Sequence, residues 1–192
     1  MPSFNQRLGA GRYTADEYYR RALEAYRKND FDGAVEAMND ALEALPNKSE
    51  YYAARGLIHL EDGEMEKARA DFEESLRRFK YEMLANYGLG VLQYKANNWD
   101  AALQYFLSAH YADQKRPETL YYLALTYQRK GDLVNATNYM VRANEAFEAV
   151  NDRRKADSGR WLRELSKNLA AKQEKTLPAQ SQLRLPSAKE EN

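Results

Sequence analysis

A chain of 192 residues with 29 basic and 29 acidic side chains has no net field to draw it onto nucleic acid or an anionic membrane. The absence of cysteine excludes disulfides, thiolate catalysis and cysteine-held metals. The first twelve residues lack the apolar core of a signal peptide, and no apolar run approaches the roughly 18 residues of a membrane span, so a cytoplasmic protein without membrane insertion is expected. The charge is uneven, however. Residues 1–150 hold 19 Lys and Arg against 23 Asp and Glu, and residues 151–192 hold 10 against 6. That excess reads as a solvated polar helix followed by a tail.

In chain order, residues 1–14 read as a flexible N-terminal arm. Residues 15–150 then obey a period of 34. Ala34, Ala68, Ala102 and Ala136 mark it. So do Ala22, Gly56, Gly90 and Ala124, and again Ala41, Ser75, Ala109 and Ala143. Three small-residue series in one register describe stacked supersecondary units, here 15–48, 49–82, 83–116 and 117–150. The fifteenth position of each unit is Asn29, Gly63, Asn97 or Gly131, types that tolerate the left-handed conformation ending a helix. The next is Asp30, Glu64, Asn98 or Asp132, of which all but Glu64 are good N-caps. Each unit is therefore helix, turn, helix, with Phe31, Met65, Trp99 or Leu133 as an apolar plug after the cap. Pro46 and Pro117 fall at joints between units, where they interrupt no helix.

The small residues let paired helices approach closely, and Met38, Phe72, Phe106 and Met140 fill the space between units. The register continues: Ser158 lies 34 residues after Ala124, and Trp161 lies 34 after Tyr127. Residues from about 151 to 172 are expected to form a fifth first-type helix that caps the stack through Trp161, Leu162, Leu165 and Leu169. Residues 173–192, with Pro178 and Pro186, read as a disordered tail.

Over residues 15–150 the chain resembles the tetratricopeptide repeat family. Repeat two carries Gly56, Ala68, Phe72 and Ser75 at the family's positions. Repeat three carries Leu89-Gly90, Trp99-Asp100, Ala102, Phe106 and Ala109. Repeat four carries Leu123-Ala124, Tyr127, Gly131-Asp132, Ala136 and Ala143, and repeat one Asp30-Phe31, Ala34, Ala41 and Pro46. Arg21 and Arg55 depart from the usual leucine, and Lys80 and Gln114 from the joint proline. The expected fold is all-α: a right-handed solenoid of four helical hairpins plus the capping helix.

Catalysis finds no support. His59 and His110 occupy non-equivalent positions, and no phosphate-cradling loop, nucleophile elbow or metal-spaced histidine pair occurs. No cofactor and no metal are expected. The resemblance implies instead a concave groove lined by positions 5, 9 and 12 of each first helix. Here those are Tyr19, Leu23 and Tyr26; Ala53, Leu57 and Leu60; Tyr87, Val91 and Tyr94; and Tyr121, Leu125 and Gln128. Ala54, Gly88 and Tyr122 lie beside them at position 6. Acids (Asp16, Glu50, Glu118, Asp152) sit near helix starts and bases (Arg27, Lys95, Arg129, Arg163) near helix ends, an order that macrodipoles favour and that would also polarise a groove. Two fates are open to the apolar stripe: contact with a ligand, or burial by the curvature of the stack.

The subclass that grips the C-terminal carboxylate of heat-shock chaperones carries a cationic clamp. Its positions here hold Tyr19, Leu23, Ala54, Leu84 and Gly88 or, one repeat on, Ala53, Leu57, Gly88, Glu118 and Tyr122, so that clamp is absent. The chain thus reads as a non-enzymatic adaptor that binds an extended peptide or a helix with apolar anchors. The alternative is a self-assembling homo-oligomer, joined by end stacking or by insertion of the tail into a neighbour's groove. On the adaptor reading Leu57→Arg and Val91→Arg abolish binding without unfolding, whereas Ala68→Arg and Ala102→Arg unfold the stack.

Overall fold

The computed structural model describes the backbone of residues 4–176 and the side chains of residues 14–174. Among the described residues the chain is helix and turn only. Four antiparallel hairpins follow one another: α1 (Phe4–Arg27) with α2 (Phe31–Ala44), α3 (Ser49–Glu61) with α4 (Met65–Arg78), α5 (Met83–Lys95) with α6 (Trp99–Ala112), and α7 (Pro117–Arg129) with α8 (Leu133–Ala149). Helix α9 (Lys155–Thr176) packs against α8.

The turns follow from the residues at their tips. Asn29, Gly63, Asn97 and Gly131 all have φ between 59° and 87°, the left-handed geometry that closes the first helix of each hairpin and frees the chain to start the second. Asp30 and Asp132 accept the backbone N–H of Gly33 and Asn135 at 3.0 and 3.1 Å, each cap contributing about 1 kcal/mol. Asn98, expected to cap α6, does not. Its side-chain amide donates instead to Gln93 Oε1 at 2.9 Å, drawn back toward the preceding helix. At α5 the cap is Glu82, whose carboxylate accepts from Ala85 N at 2.6 Å.

Packing explains the period. Ala34, Ala68, Ala102 and Ala136 are fully buried, as are Ala41, Ser75, Ala109 and Ala143. Met38, Phe72, Phe106 and Met140 are equally buried and fill the hairpin interiors. A Cβ added at Gly56 would come within 2.8 Å of the Phe72 ring, and one at Gly90 within 2.5 Å of Phe106. Glycine is thus required by close approach at these two positions. The buried residues form successive clusters along the stack instead of one central core, so each unit is stabilised by its neighbours.

Two departures from the sequence expectation concern the ends. The N-terminal arm expected over 1–14 is helical from Phe4 onward, as a continuation of α1; residues 1–3 lie outside the described residues. The tail expected from 173 is helical to Thr176, and its remainder, 177–192, lies outside the described residues. The last turn before α9 uses Asn151, at φ 53°. Beyond it Ser158 is fully buried and donates to Asn144 Oδ1 at 2.9 Å, while Leu165 is 1% exposed. Arg153, Arg160, Arg163 and Lys167 are exposed.

Arg55, the departure from leucine in repeat two, has a structural partner. Its Nε and Nη2 donate to the two Asp71 carboxylate oxygens at 2.8 and 2.6 Å, and Nη1 donates to Asn39 Oδ1 at 2.6 Å. A bidentate ion pair thus ties α3 to α4 and reaches α2, where a leucine would have offered only packing. His59 Nε2 lies 3.8 Å from the same carboxylate. Burial outweighs that neighbour and holds the His59 pKa below its ordinary value.

Candidate functional site in two clefts

The first helices α1, α3, α5, α7 and α9 form one row, the inner wall of a solenoid, and their spacing along the row is uneven. Helices α3 and α5 pack directly on each other, α5 and α7 touch at few points, and α1 and α3 scarcely touch. Small residues cause the pinch. Ala53 of α3 and Ala85 of α5 are fully buried in one cluster, and Gly88 of α5 leaves room for the Phe72 ring of α4, from which an added Cβ would fall 2.1 Å. These small residues let α5 settle closely against the α3–α4 hairpin.

The expected groove is thereby divided, and its residues meet different fates. Ala53, Leu60, Tyr87, Gly88 and Val91 are buried, Val91 to 4% exposure. They belong to the core around Phe72 and Phe106. Leu125, 8% exposed, packs with Met140 and Leu165 toward α8 and α9. For these positions superhelical packing wins over exposure, so Val91→Arg cannot be the mild substitution that the sequence alone suggests. Tyr94 is half-buried; its ring meets Trp99 at 5.0 Å and Tyr122 at 5.6 Å. Arg129 is exposed, with its guanidinium 5.6 Å from the Trp99 ring.

Two openings remain, one on each side of the α3–α5 contact. The first lies where α1 and α3 splay apart. Tyr19, Leu23 and Tyr26 of α1 face Ala54 and Leu57 of α3, with Leu84 of α5 closing the far edge. Ala22, Met38 and Ile58 form its floor. Almost all of its lining is apolar, and Leu23 is 36% exposed. Tyr19 stacks on Tyr51 at 5.3 Å, which fixes the upper wall.

The second opening lies between α5 and α7 and has a volume of about 240 Å³. Tyr87, Tyr121, Tyr122 and Phe147 supply aromatic walls, and Glu61, Glu118, Asp157 and Arg154 supply charge. Tyr122 meets Tyr87 edge-on at 5.9 Å and stacks on Phe106 at 5.3 Å. The Tyr121 hydroxyl donates to Asp157 Oδ2, which clips α9 to α7. Burial, and then that carboxylate, push the Tyr121 pKa well above its ordinary value; burial alone does most of the same for Tyr87. Arg154 donates to Glu118 and Asp152, each at 2.7 Å. That guanidinium holds the Asp152 carboxyl well below the usual range.

The stripe drawn from sequence missed Leu84, Glu61, Phe147, Arg154 and Asp157. Two of them carry a legible signal, because they break the columns of charge along the row. Leu84 stands at the second position, where the other first helices have Asp16, Glu50 and Glu118. Glu61 stands at the thirteenth, where the others have Arg27, Lys95 and Arg129.

A model of the tetratricopeptide repeat matches residues 19–82 and 67–117, more than half of the chain. The chain belongs to the tetratricopeptide repeat family. A TPR repeat-containing protein of Methanocaldococcus jannaschii is 27% identical over 136 residues, covering 69% of this chain and 24% of that protein. The SGT1 homolog of Homo sapiens is 29% identical over 104 residues, 54% of this chain and 28% of that protein. The chain thus spans about a quarter of the length of the curated relatives it matches. Among solved structures, Pseudomonas aeruginosa PilF superposes with a TM-score of 0.71 at 17% identity, over 86% of this chain and 72% of that one. MamA superposes with a TM-score of 0.55 at 19% identity, over 85% and 96%. At such identities the likeness speaks to the fold, which is the tetratricopeptide α-solenoid.

Proteins of this fold generally mediate protein–protein interaction, and the family is typically non-enzymatic. Among the described residues no helix is long and apolar enough to cross a membrane.

Proposed function

We propose that this chain is a protein-binding adaptor whose concave row receives an extended peptide or a helix carrying an apolar anchor. The observation that carries the proposal is the cleft between α1 and α3, where Leu23 stays solvent-exposed among Tyr19, Tyr26, Leu57 and Leu84. Water-exposed apolar side chains converging on one concavity gain about 25 cal/mol per Å² when a partner covers them. Tyrosine walls add large, stiff contact area and a hydroxyl at the rim. An inserted leucine or phenylalanine matches this lining, which contains no charged side chain.

The test begins with peptides selected from a random twelve-residue library against the wild-type protein. The selected peptides should share an apolar residue. Leu23→Asp should weaken them at least tenfold in calorimetric titration while changing stability by no more than about 0.5 kcal/mol, as for other exposed positions. Selected peptides that bind Leu23→Asp as tightly as wild type would place the site elsewhere.

A further inference from the structure

The second cleft carries a charge arrangement that the apolar anchor does not explain. Glu61 ends α3, at the negative pole of the helix, where a carboxylate is disfavoured and where the equivalent residues Arg27, Lys95 and Arg129 are basic. Among the described residues Glu61 makes no ion pair and no hydrogen bond; its charge is felt by the hydroxyls of Tyr26 and Tyr122. The other charges of the cleft are already paired. Glu118 is held by Arg154, and Asp157 accepts from the Tyr121 hydroxyl and from Arg160 at 2.7 Å. One open carboxylate therefore faces a cavity walled by tyrosine rings.

The same wall already holds cations against aromatic faces. The Arg154 guanidinium lies 4.6 Å from the Phe147 ring centroid, and that of Arg116 lies 5.1 Å from Tyr87. Ring faces attract a cation, and a nearby carboxylate completes its pairing. We propose that the pocket between Glu61, Tyr87 and Tyr122 takes the guanidinium or ammonium of a basic side chain, so that the partner carries a basic anchor in addition to its apolar one. An acidic side chain would meet the unpaired Glu61 carboxylate while Arg154 is already engaged by Glu118 and Asp152, and an apolar one would desolvate Glu61 without pairing it. The inference rests on the adaptor reading above and specifies the partner's chemistry at the second cleft.

The experiment titrates the full chain, followed by amide chemical shifts, with three blocked amino acids: the N-acetyl N-methylamides of arginine, citrulline and leucine. Citrulline is the neutral isostere of arginine. The arginine probe should shift the amides of Glu61, Tyr87 and Tyr122, and should bind about fivefold more tightly than citrulline at low salt. Glu61→Gln should erase that preference with the melting curve unchanged, and the leucine probe should still shift Leu23 and Leu57. Equal binding of arginine and citrulline, or an arginine preference that survives Glu61→Gln, overturns the basic anchor but spares the adaptor reading if leucine still marks the first cleft. If none of the probes perturbs the concave row, the adaptor reading falls and the basic anchor falls with it.

Discussion

The two clefts of the inner wall are built from the same repeat, yet they differ in almost every physical respect. Between α1 and α3 the lining is aliphatic and aromatic, and Leu23 is open to water. Between α5 and α7 the walls are tyrosine and phenylalanine, and charge surrounds the mouth. What separates them is the α3–α5 contact, where Ala53 and Ala85 are fully buried and Val91 and Leu60 join the same core. Small residues along one row thus decide where a solenoid is open. The side chains bordering the gaps decide what each opening can hold.

The largest expected effect comes from attacking the α3–α5 contact itself. Val91→Arg forces a guanidinium into the buried core and should cost about 4 kcal/mol or more. Thermal melts followed by circular dichroism should show loss of cooperative unfolding. A variant that melts like wild type would mean that the row is a continuous groove after all and that the comparison of two clefts fails. A smaller effect is expected from Tyr121→Phe, which removes the hydroxyl bound to Asp157. It should cost about 1 kcal/mol, because the pair is only half-buried. Hydrogen exchange should quicken in α9 and leave α1 to α4 untouched. Uniform quickening would show that the second cleft is not held by a local polar clip.

The period of 34 made the architecture readable, because each mark of it is a steric demand. Ala34 and its successors are small where helices cross, and Asn29, Gly63, Asn97 and Gly131 sit where φ must turn positive. Position within a helix was less informative about exposure. Val91 and Leu23 share the ninth position, yet one is sealed in the core and the other lies beside the gap between α1 and α3. The spacing of neighbouring helices decides this, and that spacing depends on Ala53, Ala85 and Gly88, which look unremarkable one at a time. Arg55 likewise reads as a lapse from the repeat until Asp71, sixteen residues on, is seen to receive it. Phe147, Arg154 and Asp157 lie outside the first helices of the four repeats and become neighbours of Tyr121 only when the stack is assembled.

The smallest expected effect is a difference in alkaline titration between the two clefts. Burial raises the tyrosine pKa values in both. In the first cleft Tyr19 and Tyr26 are raised by partial burial and by nearby glutamates. In the second, deeper burial lifts Tyr87 further, and partial burial together with the hydrogen bond to the Asp157 carboxylate lifts Tyr121. In each case the folded state favours the neutral phenol. The stability so gained is complete below pH 10, the ordinary value, and is lost as pH rises through the folded pKa values. Tyr51, stacked on Tyr19, is pushed up to about 12 by burial and by its hydrogen bond to Asp16, so it marks the later part of the first cleft's titration. Absorbance near 295 nm should therefore rise first from Tyr19 and Tyr26. The contribution of Tyr87 and Tyr121 should appear only together with loss of helical circular dichroism. Tyr19→Phe should remove amplitude from the early phase, and Tyr87→Phe from the late one. A single phase, or a late phase unchanged by Tyr87→Phe, would mean that both clefts present their phenols to water alike. The second would then be a surface feature and not a walled pocket.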